Sequence, residues 1–282
     1  MKLLRFGQPG REKPGLVDGN GRIRDLSGAI ADIKGDVLGS AGLAKLRSLK
    51  PESLPEVSGS PRLGPPVGQI GKFVCIGLNY SDHAAEAGMP VPKEPIIFIK
   101  ADTALSGPND PVIIPKDSKK TDWEVELAII IGTKAQYVSE EKAFDYVAGY
   151  CVANDVSERE YQLERGGTWD KGKGCDTFGP LGPWLVTTDE VKDPQNLDMW
   201  LEVNGTRFQN GNTKTMIFGC AHLVSYVSRF MTLNPGDVIS TGTPPGVGSG
   251  KKPPVFLKPG DVVTLGIAGL GSQRQELRAW PG

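Results

Sequence analysis

Histidine is scarce in this 282-residue chain, with His83 and His222 the only two. A zinc centre built on several imidazoles is thereby excluded, and a serine triad would have to use one of this pair. His222 lies in MIFGCAHLVSYVSRF, whose apolar spacing is helical, so it is expected as a core or interface histidine. Cysteine is sparse too. Cys75, Cys151, Cys175 and Cys220 are far apart, form no CxxC and sit mostly in apolar surroundings, so they are read as buried free thiols. Neither sign of charge is in excess, with 32 Lys+Arg against 33 Asp+Glu, which removes the drive towards nucleic acid or an anionic membrane. No apolar run approaches the roughly 18 residues of a membrane span. The start, MKLLRFGQPG, lacks the apolar stretch of a signal peptide. A soluble, cytoplasmic chain acting on a small molecule is expected.

Glycine (37) and proline (23) are abundant, and the apolar segments between them are short. That composition predicts a mainly β fold with short helices, of the α+β class, over a helix bundle. Residues 1–65 read as a small N-terminal unit. Within it Asn20-Gly21 separates two extended runs as a hairpin turn, GLAKLRSL forms a short helix, and PESLPEVSGSPRLGPP is an extended linker. From about residue 70 to 282 extended segments follow one another densely. Three helices are expected among them: one opened by Ser139 and ended by Gly149, one from Ser157 to about Gly166, and the longest from Thr215 to Phe230.

DWEVELAIII, residues 122–131, reads as a buried strand with acids in its first half. Side chains of a strand alternate between faces, so Glu124 and Glu126 share one face and Val125, Leu127 and Ile129 the other. Two like charges beside a core need compensation. Lys119, Lys120 and Lys134 are near in sequence and offer one answer, a salt-bridged strand edge. The other involves Asp155, which follows the short strand YCVAN and opens the next helix. It either caps that helix or completes a cluster of three carboxylates. Three carboxylates without histidine or cysteine suit a hard cation, Mg²⁺ first, with Mn²⁺ or Ca²⁺ able to substitute. Asp122 shares their face but sits at the strand entrance, where a supporting role is expected.

IGLNYSDHAAEAG, EPIIFIK, DWEVELAIIIG, AGYCVANDVSEREYQ, KGKGCDTFGPLGP, LEVNGTRFQNGNT and ISTGTPPGVG occur in order over residues 70–282. In that order and spacing the chain resembles the fumarylacetoacetate hydrolase family. The resemblance implies a mixed β-roll or sandwich, usually a homodimer, with Mg²⁺ held by Glu124, Glu126 and Asp155. It also implies a catalytic pair, His83 and Glu86, on a lid that activates water, and Lys173 (not its neighbour Lys171) at the developing enolate or substrate carboxylate. Tyr80, Arg159, Gln162 and Thr243 would bind substrate. The chain departs from the family pattern with Ala101 after the EPIIFIK lysine and with Glu158 and Glu160 around the helix arginine, acids expected to reshape the mouth of the pocket.

The activity implied is Mg²⁺-dependent cleavage of a C–C bond in a 2,4-dioxo acid, an acylpyruvate or a dioxo-deoxy sugar acid, to pyruvate and a carboxylic acid. Alternatives on the same fold are a ureidoglycolate lyase or a decarboxylase or isomerase of 2-oxo acids. An alternative of another class is a non-catalytic, metal-stabilised binding protein.

Overall fold

The computed structural model describes residues 1–86 and 88–282 in full and residue 87 by its backbone. At its centre is the strand Val125–Ile131, buried along its whole length. A strand covered on both faces must be apolar at odd and even positions alike, and this one is, apart from Glu126. Val125, Leu127, Ile129 and Ile131 belong to one core. Ala128 and Ile130 belong to a second on the opposite face. Glu124 and Glu126 have the parity of Ala128 and Ile130, so both acids are aimed at that second side.

The strand belongs to a mixed eleven-stranded sheet. Its main path runs Ile23–Asp25, Lys13–Val17, Lys2–Phe6, Gly179–Thr187, Val147–Asn154, Val125–Ile131, Val238–Ser240, Phe73–Gly77 and Ile96–Lys100. A five-stranded sheet that includes Asp198–Val203 and Val262–Ile267 packs on the first core through Leu201, Val263 and Leu265. Short helices fill the margins, the longest being Cys220–Phe230. The mainly β fold with short helices expected from composition is the one observed, in the mixed-sheet form that the family resemblance implies.

The N-terminal residues hydrogen-bond into this architecture. The expected hairpin is present as Lys13–Val17 paired with Ile23–Asp25, and the short helix is Ser40–Arg47. Lys2–Phe6 pairs with Gly179–Thr187, which extends the main sheet, and Leu3, Leu16 and Leu26 enter the second core. In the linker, Leu63–Gly64 adds a two-residue strand beside Lys2–Phe6, and Arg62 pairs with Glu12 at 2.9 Å and with Asp110 at 2.6 Å.

Several local expectations need correction. DWEVELAIII is not one strand: Thr121–Asp122 pairs with Ser157–Glu158, and the main-sheet strand starts only at Val125. After Ser139 the chain forms a 3-10 segment, Glu140–Tyr146, and Gly149 lies inside the following strand, Val147–Asn154. A Cβ on Gly149 would come within 2.1 Å of the Val186 carbonyl, so close strand approach accounts for this glycine. The second helix is only Arg159–Leu163, capped by Glu158, so Asp155 is not its cap. The long helix begins at Cys220 because Thr213–Thr215 forms a separate turn. Among the described residues no helix is long and apolar enough to cross a membrane.

Candidate active site

Antiparallel pairing sets the site. Val125 lies opposite Asn154, so Asp155, the next residue, donates its backbone N–H to the Glu124 carbonyl at 2.9 Å. Carboxylate oxygens of Glu124, Glu126 and Asp155 then lie within 4.8 Å of one another, all three residues buried. The lysines near in sequence do not compensate them; Lys120 pairs with Glu164 instead. The compensating bases come from three other segments. Lys173 bridges Glu124 (2.9 Å) and Asp155 (2.8 Å), Arg159 holds Glu124 (2.7 Å) and Asp122 (2.8 Å), and Lys100 lies 2.6 Å from Asp155.

The charges do not balance. Four acids, Asp122, Glu124, Glu126 and Asp155, face three bases, Lys100, Arg159 and Lys173. Glu126 is the one without a cation. It accepts instead from the Ser240 hydroxyl at 2.5 Å and the Gly242 N–H at 3.0 Å. Burial, and then the charges of Asp155 and Glu124, push its carboxyl well above the usual range. Glu124 behaves oppositely: burial works to raise it, but Lys173 and Arg159 outweigh burial and hold it down at about 2. Asp155 Oδ1 is buried with the Lys100 ammonium as its polar neighbour at 2.6 Å, and that ammonium also donates to the Val156 and Lys173 carbonyls. An excess of acid over base and three converging carboxylate donors fit a divalent cation of the hard class.

Beside these acids the short helix Ser81–Ala87 presents His83 and Glu86, one turn apart. His83 Nδ1 lies 3.2 Å from Glu86 Oε2. A carboxylate there favours the tautomer protonated at Nδ1 and leaves Nε2 as the basic nitrogen. Glu86 is fixed in turn by the Gly246 N–H at 3.0 Å. Ser240, Gly242 and Gly246 belong to the ISTGTPPG segment, so one stretch of chain holds both Glu126 and Glu86. Gly242 adopts φ +94, and a Cβ there would meet Asn79 Cβ at 2.8 Å, which is why this turn needs glycine. His83, Glu86, Glu124, Glu126 and Lys173 all line one cavity of about 290 Å³, the scale of a small-ligand site.

Residues 72–278 match the family model described as fumarylacetoacetate (FAA) hydrolase C-terminal. The chain belongs to the fumarylacetoacetate hydrolase family. A Burkholderia multivorans protein provisionally named a hydrolase is 66% identical over 280 residues, 99% of each chain. Maleylpyruvate hydrolase from Sphingobium sp. SYK-6, solved with manganese(II) and pyruvate, is 30% identical at a TM-score of 0.82 over 99% of each chain. A 2-hydroxyhepta-2,4-diene-1,7-dioate isomerase from Mycobacterium marinum is 32% identical at a TM-score of 0.76 over the whole of both chains. This membership makes the chain an enzyme and sets aside the non-catalytic binding protein.

Among the remaining residues that the family resemblance singled out, Arg159, Gln162 and Thr243 line the cavity. Arg159 donates to Asp122, Glu124 and Gln162, which ties the helix to the strand entrance. The Gln162 amide nitrogen makes no hydrogen bond among the described residues. The Thr243 hydroxyl is engaged, donating to the Val125 carbonyl and accepting from Gln209. Tyr80 is a correction: its side chain is fully buried, its hydroxyl points at Met199 Sδ (3.2 Å), and it does not line the cavity. Glu158 and Glu160 do not reshape the mouth either. Glu158 is buried as a helix cap, and Glu160 pairs with Arg165 on the surface. Asp122 supports the site as expected, accepting from the Gly248 and Ser249 N–H groups as well as from Arg159.

Lys100 went unrecognised in the sequence. A lysine at the end of an edge strand suggests solvent, yet Lys100 is buried and its neighbour Ile99 is exposed. The available signal was parity, since Lys100 shares its face with Phe98, which lines the cavity.

Proposed function

We propose that the chain is a divalent-metal-dependent hydrolase that cleaves the C3–C4 bond of a 2,4-dioxo acid to give pyruvate, or a related 2-oxo acid, and a carboxylic acid. The observation carrying this reading is a single cavity with Glu124, Glu126 and Lys173 on its buried floor and the His83–Glu86 pair at its side. Mg²⁺ or Mn²⁺ held by Glu124, Glu126 and Asp155 would supply Lewis-acid stabilisation for the charge that develops on the 2-oxo group. Manganese and pyruvate together in the Sphingobium structure support that assignment.

The chain's own groups do the rest. His83 Nε2, oriented by Glu86, takes a proton from water as the water oxygen bonds to the 4-carbonyl carbon. The C3–C4 electron pair leaves into the pyruvate enolate, and the proton held by His83 returns to C3, so that one water is consumed for each bond broken. Lys173, already between Glu124 and Asp155, offsets enolate charge. Gln162 offers its amide nitrogen to a substrate oxygen, with Arg159 fixing it in place, and Thr243 closes the cavity wall. Residues 1–65 supply packing and no catalytic side chain. The resemblance further supports a cytoplasmic homodimer.

A second reading, isomerisation of a 2-hydroxy-dienedioate, is favoured by the Mycobacterium marinum similarity. It needs a proton shuttle but no attacking water. Product analysis with Mg²⁺ on acylpyruvates, fumarylpyruvate, dioxo-deoxy sugar acids, oxaloacetate, ureidoglycolate and a 2-hydroxy-dienedioate separates the readings. Release of a 2-oxo acid with a carboxylic acid from a 2,4-dioxo acid is expected. Conversion of the dienedioate alone, or of ureidoglycolate alone, would overturn the hydrolase.

A further inference from the structure

The cavity is chemically divided. Its floor is polar and buried, with Glu124, Glu126 and Lys173 almost wholly enclosed. Its outer wall is apolar: Leu78, Met89, Leu163, Trp169 and Val247 line it, with Met89 and Leu163 half exposed at the mouth. Trp169 is a built part of this wall. Its indole meets Phe98 edge to face with ring centroids 5.4 Å apart. It lies so close over Gly77 that a Cβ there would come within 2.3 Å of the ring. Glycine at 77 thus makes room for a flat aromatic surface beside the reacting centre.

Charge is distributed as unevenly as polarity. Among the described residues lining the cavity, the permanently basic side chains are Arg159 and Lys173, and both are turned to the floor carboxylates. On the side nearer the mouth the formal charge is the Glu86 carboxylate, paired with His83. A dioxo acid whose 2-oxo end meets the floor and whose 4-carbonyl meets His83 must lay its acyl tail along the Leu78, Leu163 and Trp169 wall. A carboxylate on that tail would be desolvated without a counter-charge and would face Glu86, which is costly. A methylene there gains its burial energy instead.

Resting on the hydrolase reading above, we infer that the substrate is a monocarboxylic 2,4-dioxo acid with a neutral apolar acyl tail, alkyl or aryl, and that Trp169 and Leu163 set this preference against dicarboxylic substrates. The test measures kcat/KM of the Mg²⁺-loaded protein for acetyl-, butanoyl- and hexanoylpyruvate and for fumarylpyruvate. In parallel, calorimetry compares 2-oxohexanoate with 2-oxoadipate, which have the same chain length and differ by a terminal carboxylate. A gain of about fourfold in kcat/KM per added methylene is expected while the tail stays within the wall. Fumarylpyruvate should be slower, and 2-oxoadipate weaker, by about tenfold or more. Leu163→Arg, a change at a half-exposed position, should narrow both gaps by supplying the missing cation. Equal or better handling of the dicarboxylates, or discrimination unchanged in Leu163→Arg, would overturn the inference and leave the hydrolase reading standing. No hydrolysis of any dioxo acid would overturn the hydrolase reading and the substrate assignment with it, even if tighter binding of 2-oxohexanoate showed the wall to prefer an apolar tail; failure of 2-oxohexanoate to bind would overturn the apolar preference itself.

Discussion

Replacing Glu126 by glutamine separates the charge of this carboxylate from its hydrogen bonds. A glutamine amide oxygen can still accept from the Ser240 hydroxyl and the Gly242 N–H, the two contacts that hold Glu126. What disappears is the negative charge placed within 4.8 Å of Glu124 and Asp155 oxygens. At that separation and an effective dielectric of about 20, each like-charge pair of ionised groups costs up to about 3 kcal/mol, a cost relieved in part by Lys173 and in part by the raised proton affinity of Glu126 itself. Metal-free Glu126→Gln should therefore melt at or above the metal-free wild type, although a buried, hydrogen-bonded side chain has been changed. Metal should reverse the order. A cation at 100 times its dissociation constant adds about 2.7 kcal/mol, a rise of roughly 5–10 °C for a chain of this size. The variant should lose most of that increment. Differential scanning calorimetry after exhaustive chelation, with and without added Mn²⁺, gives the four melting temperatures required. A variant that melts far below the wild type in chelator, or that gains as much from Mn²⁺, would refute the charge argument.

Lys100→Met should destabilise the protein by about 3–5 kcal/mol in urea unfolding, because it leaves Asp155 and two carbonyls buried without their cation; a loss under 1 kcal/mol would show that Lys100 is not structural. Gly149→Ala forces a methyl group against the Val186 carbonyl and should cost about 1–3 kcal/mol or more in the same assay, with no change in metal affinity. Glu86→Gln should leave calorimetric metal binding intact while lowering hydrolysis, since Glu86 touches His83 and the Gly246 N–H and none of the three clustered acids; weakened metal binding would contradict that separation.

The alternation rule read the face shared by Glu124 and Glu126 correctly, because a strand buried on both sides leaves no freedom of register. Asp155 was legible as a strand-end acid for the same reason. What compensates these acids was not legible, since Lys100 and Arg159 reach them from distant segments and local sequence offers the wrong lysines. Helix limits failed where tertiary pairing overrode propensity: Gly149 reads as a helix stop, yet strand packing against Val186 uses it. Tyr80 shows the limit of carrying roles by position, because its hydroxyl direction depends on Met199 in another sheet. The apolar outer wall was equally hidden, being assembled from Leu78, Leu163, Trp169 and Val247 on four separate segments.

The central claim is that one metal-dependent cavity uses His83 to activate water, and its most direct test is His83→Ala at full metal occupancy. In the same preparation, hydrolysis of an acylpyruvate and decarboxylation of oxaloacetate are followed at saturating Mg²⁺ and again after chelation. Hydrolysis should fall by about 100-fold or more, any decarboxylation should fall less, metal affinity should stay near wild type, and chelation should abolish hydrolysis in both proteins. Hydrolysis that survives complete metal removal, or that is unimpaired in His83→Ala, would contradict the account.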